Sequence, residues 1–268
     1  MIAILQAIFL GIIEGLTEFL PISSTGHLLL SEKLIGYKDS ARIFTVVIQI
    51  GAIAAVIWFY RQDLYNRVRG LIARKRSDIK FWKNLVIATI PAAIIGLAVD
   101  KLLGTNDLIV VIAFALIIGG FIMLHAENKF EKRHVNNNEN IDLISPRQAF
   151  AVGCVQVLAL IPGVSRSGAT IIGGMYAGLN RVTATAFSFY LSIPVLVLAG
   201  TYKLVKGRED LATISGGGGA LIAGLVAAFI TALFAIQWLL KYVAHHDFKP
   251  FAYYRIALGF IILLFFNK

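Results

Sequence analysis

Apolar residues fall along this chain in long blocks, as at 107–126 (DLIVVIAFALIIGGFIMLHA) and 251–266 (FAYYRIALGFIILLFF). Each is near the roughly 20 residues that a helix needs to cross hydrocarbon. The pattern predicts membrane segments at about 1–20, 44–60, 84–103, 108–126, 148–162, 184–202, 217–240 and 251–267. The first and fifth behave differently. They run into PISSTGH at 21–27 and PGVSRSGAT at 162–170, and another moderately apolar piece follows each. Backbone of that composition is tolerated at membrane depth only where protein buries it or a wet cavity meets it, because lipid cannot satisfy its amides and carbonyls. Both segments are therefore expected to be re-entrant hairpins.

The chain also resembles itself at an offset of 142 residues. Gln6, Ala7, Gly11, Leu16, Ser23 and Gly26 meet Gln148, Ala149, Gly153, Leu158, Ser165 and Gly168, while Glu14 meets Gln156. Pro21 falls opposite Gly163, one position from Pro162. The expected fold is an all-α polytopic membrane protein, residues 1–268 forming a single integral membrane domain. It is built of two repeats, about 1–135 and 145–268, each one re-entrant helical hairpin plus three transmembrane helices. Three spans is an odd number, so the second repeat is inverted relative to the first, and such folds place their site near the midplane between the repeats.

Composition agrees and narrows the picture. Apolar residues make up 58% and charged residues 15%, and mean hydropathy is +0.78. A soluble domain is about half apolar and a quarter charged, so a water-soluble globule is excluded. The formal charge of +10 sits mostly in loops, which points to topology and anionic headgroups and removes nucleic acid as a partner. Loops 61–83, 127–147 and 241–250 hold 14 Lys and Arg against 8 on the other side. The richer side is expected to be cytoplasmic, with both termini outside and the two hairpins entering from opposite faces. Cys154 is alone, so neither an intramolecular disulfide nor a Cys metal cluster can form. No basic residue precedes Lys33, so the first segment reads as part of the mature fold rather than a signal. The run Gly216–Gly219 reads as a flexible entry to the seventh segment.

Few residues remain to carry chemistry. Glu14 and Glu18 are four apart, which puts both carboxylates on one face of the first helix. A charge deep in a bilayer costs at least roughly 2.5 kcal/mol, so such a pair is expected to be functional. The pair forms a partial site for a hard divalent cation, and without one, mutual repulsion equips a carboxyl for proton transfer. In PISSTGHL, Ser23, Ser24 and Thr25 offer hydroxyls, Gly26 allows close backbone approach, and His27 supplies an acid, base or nucleophile. In the second motif, Arg166 lies between Ser165 and Ser167, with Gly163, Gly168 and Thr170 around it. Small residues leave amides free as an anion nest, and a guanidinium grips phosphate oxygens in pairs. This is not a nucleotide P-loop, which would end in Lys followed by Ser or Thr. Together the motifs suit metal-assisted hydrolysis of a phosphate anhydride on a lipid-tailed substrate.

The segments EGLTEFLPISSTGHL at 14–28 and PGVSRSGAT at 162–170 resemble the two signature regions of the bacterial undecaprenyl pyrophosphate phosphatase family, also known for bacitracin resistance. The likeness covers essentially the whole chain. It implies removal of one phosphate from undecaprenyl diphosphate, a prenyl diphosphate lipid substrate, to return the monophosphate carrier to peptidoglycan synthesis. It also implies a multi-pass protein of the bacterial plasma membrane, a requirement for Mg²⁺ or Ca²⁺, and a site open to the outer face. By motif, Glu14 and Glu18 match the essential acidic and metal-binding pair, Ser24 and His27 candidate catalytic residues, and Arg166 the phosphate-binding arginine. Water activated by a glutamate, Ser24 with His27 as base, and His27 itself all stand as attacking groups. A secondary transporter or lipid-carrier flippase is the rival reading of the same topology. Membrane lipids surround either, and a homodimer is the expected oligomer.

Overall fold

The computed structural model describes residues 1–37, 39, 42–99, 108–131, 140–209 and 214–266. Among these, every regular element is helical: α1 (Ile2–Thr17), α2 (Ser24–Ile35), α3 (Ile43–Phe59), α4 (Arg61–Ile72), α5 (Arg76–Val99), α6 (Leu108–Glu131), α7 (Pro146–Gln156), α8 (Arg166–Tyr176), α9 (Arg181–Lys206), α10 (Gly217–Val243) and α11 (Lys249–Phe266). Short 3-10 turns lie at Ile141–Leu143 and Val157–Leu160. Among the described residues, four helices are long and apolar enough to cross a membrane by length and composition: α5, α6 from Ile109, α9 and α10. The pair α3 and α4, bent by 70°, makes a fifth if taken as one span. Six spans are expected from the sequence, and α11 is the one outside this set.

Local chemistry sets the helix ends. Ser145 and Gln148 cap α7 reciprocally, with Pro146 as the first helical residue, a combination that satisfies otherwise orphaned amides. α2 stops at Gly36, whose φ of 67° closes the helix in the left-handed region. Gly216, with φ 86°, opens α10 in the same region, which gives the glycine run a structural task. The segment 61–72, a loop by its charge, is helical. Tyr65, Val68, Leu71 and Ile72 are exposed there among Arg61 and Arg69, the composition of a helix lying on a membrane surface.

Close approach of backbones holds the bundle. α1 and α3 pack along α10, α6 along α11, and α5 along α7. On α10, Ala220, Gly224, Ala228 and Ala232 recur every four residues and are buried. Against them lie Gly11, where a Cβ would strike the Gly224 carbonyl, and Gly15, where it would strike Thr231 and the Ala228 carbonyl. Gly153 of α7 meets the Ala88 backbone of α5 in the same manner. Small residues allow this because packing, rather than a hydrophobic drive, joins helices in lipid. The main apolar core gathers Phe19, Phe81, Phe187, Phe189 and Tyr190. Residues 18–23, between α1 and α2, and 161–165, before α8, form two non-helical tips within the bundle.

Candidate active site

The two tips share one local build. Ser23 and Ser165 have φ of 73° and 71°, values uncommon for a residue with a Cβ. Each hydroxyl accepts from the amide of a glycine three residues on, Gly26 at 3.4 Å and Gly168 at 3.1 Å. The turns open α2 at Ser24 and α8 at Arg166. The tips also touch. The Ser167 hydroxyl donates to the Leu20 carbonyl at 2.9 Å and lies 3.1 Å from the Ser165 hydroxyl. Arg255, reaching in from α11, donates to Pro21 of the first tip and to Gly163 and Val164 of the second.

The charged groups converge at this junction. Glu18 accepts from the Ser24 hydroxyl through Oε2 at 2.6 Å and from Arg166 Nη2 through Oε1 at 3.0 Å. Arg166 Nη1 donates to the Ser188 carbonyl of α9 at 3.1 Å. Thr170 bonds the Ser188 hydroxyl at 2.6 Å and the Arg166 carbonyl at 2.9 Å, which braces α8 against α9 beneath the guanidinium. Glu14 lies one turn before Glu18 on α1 and is 1% exposed, with neither carboxylate oxygen hydrogen-bonded. It is within Coulombic reach of both Glu18 and Arg166. A buried polar group left without a partner calls for an explanation, and Arg166 Nε is another.

His27 is held apart from these groups. Its Nδ1 is 2.7 Å from the Ser23 carbonyl and its Nε2 is 2.6 Å from the Tyr254 hydroxyl. A carbonyl only accepts, so Nδ1 carries the proton and Nε2 of the neutral ring accepts from Tyr254. Ser24 is bonded to Glu18, so the Ser24–His27 pairing considered from the sequence is not formed here. Thr25 is exposed, whereas Gly26 is buried beneath Ile112.

Among the described residues, no three His, Cys, Asp or Glu side chains gather into a metal site. The open oxygens of Glu14 nevertheless fit a hard divalent cation whose remaining ligands are substrate oxygens and water, the way Mg²⁺ is commonly held. Three further residues build the site without belonging to either motif: Arg255, Tyr254 and Ser188. Arg255 carries a legible signal, a lone charge in the apolar block 251–266. Tyr254 and Ser188 have none, since nothing in their own segments shows that they face His27 and Arg166.

Known proteins resemble the chain over almost its whole length. A family model described as bacitracin resistance protein BacA matches residues 7–261. The chain is 50% identical over 264 residues to a Nitrosomonas europaea protein named undecaprenyl-diphosphatase, covering 97% of this chain and 94% of the relative. It is 48% identical over 266 residues to undecaprenyl-diphosphatase 1 of Burkholderia ambifaria, covering 98% and 95%. A Methylobacillus flagellatus protein named undecaprenyl-diphosphatase is 47% identical over 272 residues, covering 98% of each chain. Both tips, with Glu14, Glu18 and Arg166, fall inside the matched residues, and the chain belongs to the bacitracin resistance protein BacA family.

Proposed function

We propose that this membrane protein hydrolyses undecaprenyl diphosphate to undecaprenyl phosphate and inorganic phosphate, returning the lipid carrier to peptidoglycan synthesis and thereby conferring bacitracin resistance. The observation that carries the reading is the chain of contacts Ser24–Glu18–Arg166, a hydroxyl, a carboxylate and a guanidinium from two separate tips. Ser24 Oγ attacks the terminal phosphorus while Glu18 takes its proton. The bond from phosphorus to the bridging oxygen breaks, and undecaprenyl phosphate leaves. Water then hydrolyses the phosphoserine, releasing inorganic phosphate and restoring Ser24. Arg166 grips the phosphoryl oxygens through parallel hydrogen bonds. As the diphosphate draws Arg166 away, Glu18 Oε1 is released from its hydrogen bond. Ser23, Ser165, Ser167 and Thr170 serve by holding the tips in shape, the buried Gly26, Gly163 and Gly168 by letting α6 and Arg255 come close, and the exposed Thr25 borders the approach. His27, fixed by Tyr254, acts as a further donor or acceptor at the rim. Glu14, with Glu18, would hold Mg²⁺ or Ca²⁺, which supplies charge neutralisation on the diphosphate oxygens.

The fold supporting this site is read as two inverted repeats in the bacterial plasma membrane, the site open to the outer face. In support, α2 and α8 begin 142 residues apart, and α5 and α10, like α6 and α11, begin 141 apart. Contacts also sort into two ends of the bundle. Asp63, Arg67 and Asp142 join at one end, where Glu127 also meets Arg181 and the Phe248 amide. At the other end Ala3 meets Gly216 and Ile43 meets Gly207. The relatives' names and the serine set against Glu18 favour hydrolysis over the transporter reading. Trapping of a phosphoenzyme on Ser24 is the expected result with wild-type protein and prenyl diphosphate. Rapidly quenched single turnovers that release phosphate with no phosphoserine at any time would replace serine attack by direct water attack.

A further inference from the structure

Arg255 is the largest fully buried side chain among the described residues, 1% exposed, and every acceptor recorded for it is a main-chain carbonyl. Ala115 and Leu116 of α6 accept at 3.1 and 3.4 Å, Pro21 of the first tip at 3.1 Å, and Gly163 and Val164 of the second at 3.3 and 3.0 Å. Carbonyl dipoles satisfy its N–H groups but leave its charge uncancelled. A charge kept inside a membrane bundle is expected to have a task. The surroundings are cut to admit it. A Cβ on Gly119 would overlap the guanidinium, and one on Gly168 would come within 3.1 Å of Nη1. Glycines on α6 and α8 thus leave the passage through which α11 reaches the tips.

We propose that Arg255 is a positioning residue of the phosphatase site. Its planar fork keeps Ser24 and Glu18, from one tip, in register with Arg166 from the other, and its cation raises the affinity of the junction for an anionic diphosphate. The inference rests on the phosphatase reading above. Fork and charge can be separated, because Lys keeps the charge but not the fork, and Gln keeps neither. The assay is phosphate release from a C₁₅ prenyl diphosphate in detergent. Arg255→Lys is expected to lower kcat about 30-fold with KM within about 3-fold of wild type, whereas Arg255→Gln also raises KM about 10-fold. A purely structural role predicts a lower Tm with wild-type kcat and KM in the folded protein. Gly119→Ala, on α6 and outside both tips, displaces the guanidinium. It is expected to lower kcat about 10-fold alone and not at all in an Arg255→Gln background. Hydrogen exchange supplies a readout without turnover: residues 18–25 and 161–168 exchange faster together in Arg255→Gln, while α10 stays protected. Wild-type constants in both Arg255 variants, additivity of Gly119→Ala, or unchanged exchange at both tips overturns the proposal. If the Arg255 variants do not accumulate, wild-type kcat in Gly119→Ala overturns it alone. A wild type that releases no phosphate defeats the phosphatase reading instead, and the exchange measurement still decides the clamp.

Discussion

Glu18 uses one oxygen for Ser24 and the other for Arg166, so an amide of the same shape must turn a donor toward one of them. Glu18→Gln is therefore expected to lower kcat about 1,000-fold in the folded protein and to lower Tm as the buried Arg166 loses its paired charge, read as phosphate release and thermal unfolding in detergent. Wild-type turnover would remove Glu18 as the base. Glu14 has a different assignment, since its oxygens bond nothing. Glu14→Gln should raise the Mg²⁺ or Ca²⁺ concentration for half-maximal activity about 10-fold or more, and EDTA should abolish wild-type activity reversibly. Activity that survives EDTA, or an unchanged cation requirement in the variant, would sink the metal assignment. The cost of burying charge made Glu14, Glu18 and Arg166 legible in the sequence. The same cost applies to Arg255, but its value to the site depends on carbonyls at positions 21, 163 and 164, which no local pattern announces. His27 is legible as a functional type, yet its partner Tyr254 lies 227 residues away.

Helices were the more legible level, since blocks of apolar residues fix where spans lie while capping residues fix their ends. Ser145, Pro146 and Gln148 announce α7, and the core segments of α6, α9 and α10 coincide with the predicted blocks. α4 escapes because its apolar residues are scattered among arginines, and tertiary contacts, such as Arg67 with Asp142, are what tie the segment to the rest of the bundle. The glycines of α1 are readable only as small residues until α10 is placed against them. Gly15 then becomes the tighter test of the α1–α10 contact. Gly15→Val would force side-chain atoms onto Thr231 and the Ala228 carbonyl, so a loss of about 1–3 kcal/mol is expected, read as a lower Tm in detergent. Because α1 carries Glu14 and Glu18, activity should fall with it. A variant as stable as wild type would mean that α1 and α10 separate readily.

At the scale of the whole molecule, directions of packing matter more than any single contact. Ala3 of α1 lies beside Gly216, and Gly15 beside Thr231, so α1 runs parallel to α10. Asn84 bonds the Ile144 carbonyl and Gly153 meets Ala88, so α7 runs parallel to α5. The first hairpin is thus seated on a helix of the second half and the second hairpin on a helix of the first. Exchange of this kind is what an inverted pair requires if tips that enter from opposite faces are to meet. Gly11 and Gly153, 142 residues apart, both pack against the backbone of a neighbouring helix, and the sense of the proposed repeat depends on which face each turn occupies. In the proposed orientation the turn at Lys75 faces the cytoplasm and the start of α10 the outside, as loop charge suggests. Lys75 and Gly218 are both exposed, and nothing lies within 4 Å of a Cβ at Gly218. With Cys154 replaced by serine, a membrane-impermeant maleimide applied to intact cells should label Gly218→Cys and spare Lys75→Cys until the membrane is opened. Labelling of both from outside would overturn the orientation. Labelling of Lys75→Cys alone would reverse it and place the second hairpin, rather than the first, on the face from which the lipid diphosphate arrives.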